Sequence, residues 1–168
     1  MTDTRIVAQG ALLLAVALCI QSIRFILPLP LLVTMFIVGT GINLILLLLV
    51  YRVGVKGAAI ASVALPVTAF FQGQLPLFVF CPAIAAANII FVMVASRYHR
   101  RIKVWLAPCC KAGVLYLMSR GIVEIADLPP QMTHTILFMM GFGQLVTASI
   151  AIFLEKKIEN RIFCQKNC

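Results

Sequence analysis

Residues 57–96 read GAAIASVALPVTAFFQGQLPLFVFCPAIAAANIIFVMVAS, a run of 40 positions without one charged side chain. A helix needs about 20 apolar residues to cross the hydrocarbon core of a bilayer, whereas a barrel strand needs about 10 that alternate with polar ones. This run is continuous rather than alternating, and it is long enough for two helical crossings. The stretch Gln72-Gly73-Gln74-Leu75-Pro76 divides it, because two amides, a glycine and a proline interrupt the apolar pattern. The segment therefore reads as two helices, 57–71 and 76–96, joined at one membrane face.

The same reading extends outward in both directions. No charge lies between Arg24 and Arg52, nor between Asp127 and Glu155. Helices are expected over 6–27, 31–51, 104–120 and 132–154, giving six in all. Pro28 and Pro30 end the first. Its length, and the lack of a small-x-small cleavage site, separate it from a signal peptide. The charged tail 155–168 places Ile158, Ile162 and Phe163 at helical spacing, as expected of a short amphipathic end lying along headgroups. Composition agrees: 62% of the 168 residues are hydrophobic and 11% are charged, with a mean hydropathy of +1.07. A soluble domain carries about 25% charged residues. This chain's surface must face lipid, where backbone groups can be satisfied only within helices or closed barrels. The fold class is all-α: one integral membrane domain over 1–168, with no soluble domain large enough to act alone.

Lys and Arg total 14 against 5 acidic residues, a net charge of +9. These cations sit in short connections between apolar runs. That placement assigns them to topology and anionic headgroups rather than to nucleic acid. With six crossings, one side carries Arg5, Arg52, Lys56, Arg97, Arg100, Arg101, Lys103, Lys156, Lys157, Arg161 and Lys166. The opposite side carries only Arg24 and Arg120. The positive-inside rule then puts both termini in the cytoplasm.

No Walker A pattern, HExxH, GxSxG or metal-spaced His/Cys cluster occurs, so neither ATP hydrolysis, a bound metal or cofactor, nor any enzymatic activity is expected. Six cysteines occur without a CxxC. Cys19 and Cys81 read as small packing residues. Cys164 and Cys168 fall on the cytoplasmic side, where thiols stay reduced. Glu124 and Asp127 are expected in a solvated outer loop, and Arg24, His134 and Trp105 at the interfaces. Lys111 stands apart. An ammonium at mid-helix depth costs at least about 2.5–3.5 kcal/mol on insertion scales, so such residues face a cavity or a partner, or else snorkel to the interface. Asn43, Asn88 and Gln144 are neutral amides inside apolar helices; with Gln72 and Gln74 they form either interhelical hydrogen bonds or one polar pocket. On the first helix Ala8, Ala11, Ala15, Cys19 and Ser22 recur at helical spacing along one narrow stripe. Small residues let a second helix approach closely, either from the same chain or from another membrane protein.

Four stretches together resemble the substrate-binding S components of energy-coupling factor (ECF) vitamin transporters. They are Ala11-Leu-Leu-Leu-Ala15, Gly39 to Asn43, Gln72-Gly-Gln-Leu-Pro-Leu running on to Asn88, and Lys111 before Tyr116 followed by Phe142-Gly-Gln-Leu-Val-Thr. The resemblance covers nearly the whole chain. It implies a six-helix S-component bundle in a bacterial plasma membrane, capturing a vitamin-like small molecule from outside. The partners it implies are a transmembrane coupling protein, docked on Ala8, Ala11, Ala15 and Cys19, and two ATPase subunits. By the same resemblance, Asn43, Gln72, Gln74, Asn88, Lys111, Tyr116 and Gln144 would line the pocket. The only tryptophan, Trp105, lies at the cytoplasmic end, whereas better-known members have a Trp-rich pocket. The alternative is a structural membrane scaffold similar to the rod-shape-determining D proteins. An enzyme acting on lipid would need a convergent acid/base pair, and none is seen.

Overall fold

Glycine and proline set the punctuation of this chain, and the helices fill the intervals between them. The computed structural model describes residues 2–26, 30–75, 77–98 and 100–166. The helices are α1 (Thr2–Ile26), α2 (Leu31–Arg52), α3 (Val55–Phe71), α4 (Phe80–Arg97), α5 (Arg100–Ile125), α6 (Pro130–Phe138) and α7 (Gln144–Lys166). A single π-helical turn, Met139–Gly143, joins α6 to α7 without a break. No strand occurs among the described residues. Five segments are long and apolar enough to cross a membrane: 4–23, 32–52, 80–97, 104–125 and 130–158. The remaining helix, α3, is apolar with 17 residues, the lower end of the spanning range of about 17–25.

The ends of the helices follow from local chemistry. Gly54, at φ 93°, turns α2 into α3 within two residues, while its N–H reaches back to the Leu49 carbonyl at 3.1 Å. A side chain there would meet the steric penalty of positive φ. Gly73, at φ 66°, ends α3 in a Schellman motif: Gly73 N–H bonds the Phe70 carbonyl at 2.8 Å, and Gln74 N–H bonds Ala69 at 2.9 Å. Asp127 takes the left-handed conformation after α5, which short polar side chains tolerate, and Pro130 opens α6 where no N–H is needed.

Several boundaries differ from the sequence expectation. The helix expected to begin at residue 76 begins at Phe80, because the Schellman turn is followed by two tight turns, Phe80 N–H to Leu77 and Cys81 N–H to Phe78. The helix expected over 104–120 runs from Arg100 to Ile125. Gly121 does not end it, since Val123 is buried and Arg120 pairs with Glu124 one turn on at 3.2 Å. Glu124 is therefore helical rather than in a loop, and only Asp127 lies in the turn. The last helix does not stop at 154 but continues to Lys166, because nothing in its charged end breaks a helix. The side chains of 159–166, residues 167–168, and hence the amphipathic tail, Cys164 and Cys168, lie outside the described residues, as does the Arg24 side chain. His134 and Trp105 are exposed.

Helix α2 runs through the centre of the bundle. Ile45, Leu46 and Leu49 pack on Ala17, Ala58, Ala61, Leu65 and Val92, while Leu47 faces Phe91, Ala107, Ala148 and Ala151. The alanines allow backbones to come close, the main source of helix association in lipid. Gly41 marks one such approach: a Cβ placed there would sit 2.9 Å from Ile20 Cγ2 on α1. Gly41→Ala is expected to lower stability by about 1–3 kcal/mol through overpacking. Gly121→Ala, with open space around its Cβ, is expected to leave stability unchanged or raise it slightly. Denaturant titration in mixed micelles compares the two.

Candidate ligand cavity

Polar side chains inside an apolar bundle are costly unless they find partners, and several of them converge on one hollow. Lys111 on α5 is 2% exposed, and its Nζ donates to Asn43 Oδ1 on α2. Asn43 Nδ2 in turn donates to Thr147 Oγ1 on α7 at 3.3 Å, and that hydroxyl donates to the Gln144 carbonyl at 3.2 Å. The ammonium also lies 5.1 Å from the centroid of the Phe91 ring on α4, within cation–π range. Four helices are thus tied at mid-depth by one network. Lys111 makes no salt bridge among the described residues, and the one buried carboxylate there, Glu155, lies two turns beyond Thr147 on α7.

Above this network opens a cavity of about 480 Å³. Small-molecule sites span about 300–1,000 Å³ and are mostly apolar with a few convergent polar groups. Met35, Ile42, Phe80, Ile84, Met139 and Met140 form much of the wall. Asn43, Asn88, Lys111 and Gln144 contribute the polar groups of the deep half. The other end lies where α1 and α3 finish and α2, α4 and α6 begin; Gln21, Gln74, Gln131 and Thr135 line it there. Several of these polar groups have no partner among the described residues. Among the described residues, the side-chain amides of Asn88, 3% exposed, and Gln144 make no hydrogen bond, and Gln21 Oε1 is buried without a donor, although Gln21 Nε2 bonds the Leu65 carbonyl at 3.3 Å.

Five of the seven expected pocket residues line this cavity: Asn43, Gln74, Asn88, Lys111 and Gln144. Lys111 neither snorkels nor faces lipid. Gln72 stands beside the cavity, donating to Ser22 Oγ at 3.3 Å and accepting from Gln74 Nε2 at 2.9 Å. Gln74 Nε2 also reaches the Gln21 carbonyl at 2.9 Å, so the 72–79 connection is laced to the end of α1. Tyr116 is 38% exposed and packs on Gly141 instead. Gln21, Pro66 and the methionines were not foreseen. Pro66 sits inside α3, leaves the Ser62 carbonyl without its intrahelical donor, and lines the cavity. A proline within an apolar run was the available signal for it.

The stripe on α1 faces away from the bundle. Ala8, Ala11, Ala15 and Cys19 are all exposed, whereas Ala17 and Gln21 point inward. Cys19 is therefore not a packing residue within the chain, although Cys81 is, with its thiol donating to the Pro66 carbonyl at 3.4 Å. Only Ser22 of the stripe turns to its own chain, bonding Leu18 and Gln72.

No family model matches this sequence, and no curated protein or solved structure matches it either. The fold and cavity define an all-helical chain with the character of a multi-pass membrane protein.

Proposed function

We propose that this chain is the substrate-capture subunit of an ECF-type importer in a bacterial plasma membrane. It crosses six times with both termini in the cytoplasm, takes up a vitamin-like small molecule from outside, and delivers it inward after docking on a coupling protein served by two ATPases. The observation that carries this reading is the cavity itself. A hollow of about 480 Å³ with unpartnered amides and a buried ammonium is costly to maintain in a bundle that only needs to hold itself together. A scaffold similar to the rod-shape-determining D proteins has no use for it. The outward stripe Ala8, Ala11, Ala15 and Cys19 supports the docking half, since a face of small side chains is left unused by the chain's own helices. Arg52, Lys56 and Arg97, all exposed at the end opposite the 72–79 connection, support the orientation.

Affinity purification from native membranes tests the reading. A coupling protein and ATPases are expected to co-purify, and the purified chain is expected to gain thermal stability with one member of a vitamin panel. Purification of the intact chain without any ATPase, from cells grown under vitamin limitation, would count decisively against it.

A further inference from the structure

We infer that the ligand of this cavity is a monoanionic acid with an apolar body, its carboxylate seated at the deep end against Lys111. The inference rests on the capture reading above and adds the class of molecule captured. A buried ammonium needs an opposite charge or a dense set of acceptors. Lys111 has three N–H donors, of which Asn43 Oδ1 takes one, and the Phe91 face offers only a partial substitute. No carboxylate among the described residues pairs with it. The missing acceptor must come from the cavity that Lys111 lines.

The surroundings specify the rest. Asn88 and Gln144 line the same cavity with side-chain amides that bond no group among the described residues, so their N–H donors can join the ammonium around two carboxylate oxygens. One ammonium neutralises one negative charge, which matches a carboxylate rather than a doubly charged phosphate. Between this end and the rim the wall is hydrocarbon and thioether, with Met35, Met139 and Met140 able to adapt to an irregular shape. At the rim the cavity is lined by Gln74, Gln131 and Thr135, whose side-chain oxygens can accept from a hydrogen-bond donor on the far end of the ligand. The molecule is thus bipolar: an acid at depth, an apolar middle, a neutral donor outward.

Matched pairs of an acid and its neutral counterpart test this, with biotin and biotinamide, lipoate and lipoamide, pantothenate and panthenol as probes. Thermal shift and titration calorimetry on the full-length protein in detergent supply the readout. At least one acid is expected to bind at least 100-fold more tightly than its neutral partner. Lys111→Met is expected to erase that preference, and Lys111→Arg to keep part of it. Equal binding by the neutral partners, or an acid preference that survives Lys111→Met, overturns the anion assignment and leaves the capture reading standing. No shift with any acid, in a protein that still co-purifies with its coupling subunit, overturns the ligand class alone. Acid-selective binding by a chain that never assembles with ATPases upholds the ligand class and sinks the importer reading.

Discussion

Replacing Asn43 by leucine is expected to destabilise the bundle by about 2–4 kcal/mol, and adding Lys111→Met is expected to restore at least half of that loss. Leucine keeps the branched skeleton of asparagine, with somewhat bulkier methyl groups in place of the amide atoms, so the effect reports mainly on the polar atoms. The single change removes the acceptor of the Lys111 ammonium and the donor to Thr147 together. Hydrogen bonds to a charged group contribute about 1.5–3 kcal/mol, and stranding one buried partner adds its desolvation penalty. Ordinary interhelical hydrogen bonds in lipid are weaker, averaging about 0.6 kcal/mol. The larger value expected here comes from the charge. Removing that charge in the double variant eliminates the stranded group, so the two substitutions are non-additive. Unfolding of the four proteins of this cycle in mixed micelles measures the coupling. Additive losses would show that the ammonium finds its stabilisation elsewhere.

The second large effect concerns assembly. Ala11→Trp and Ala15→Trp are each expected to reduce co-purification of the proposed coupling subunit at least tenfold, while ligand-induced thermal stabilisation of the isolated chain stays as in the parent. Both alanines are exposed on α1, one turn apart. An indole at either position covers the stripe and holds another backbone off by several ångströms, where association depends on close approach. Neither side chain touches the cavity, so binding and docking are separable. A tryptophan variant that still assembles fully would place the docking face elsewhere. Loss of ligand response in the same variant would mean that α1 itself had been displaced.

How the sequence divides into helices was legible because charge and apolarity change abruptly at Arg52, Lys56, Arg97 and Glu155. Lipid imposes a length on every apolar run, and the interruptions at 72–75 and 127–130 mark where one such run gives way to the next. The candidate site was legible where a residue contradicted its surroundings: Lys111, Asn43 and Asn88 are costly in an apolar helix unless they converge. Gln21 escaped notice because it lies near the end of α1, where a glutamine is ordinary at a membrane interface. The methionines escaped because nothing in a sequence distinguishes a cavity wall from a lipid-facing surface; both are apolar. Gln72 and Gln74 were inseparable by composition, and only the backbone turn at Gly73 sends one into the cavity and the other toward Ser22. The extra length of α5 was hidden by Gly121 and Arg120, which signal a stop in water but are carried through here by Glu124.

The wide turn at Met139–Gly143 has a consequence for how this wall can change. A π turn holds one residue more than the α-helix on either side, and each α-helical residue advances the side-chain direction by about 100°. Gly141 and Gly143 let that surplus nestle against Tyr116 and Met35. Removing it by a one-residue deletion would swivel α6 against α7 and carry Thr135, Ile136 and Met139 off the hollow together. A single codon, rather than a series of point changes, therefore sets which chemical groups this side of the chamber offers to a guest.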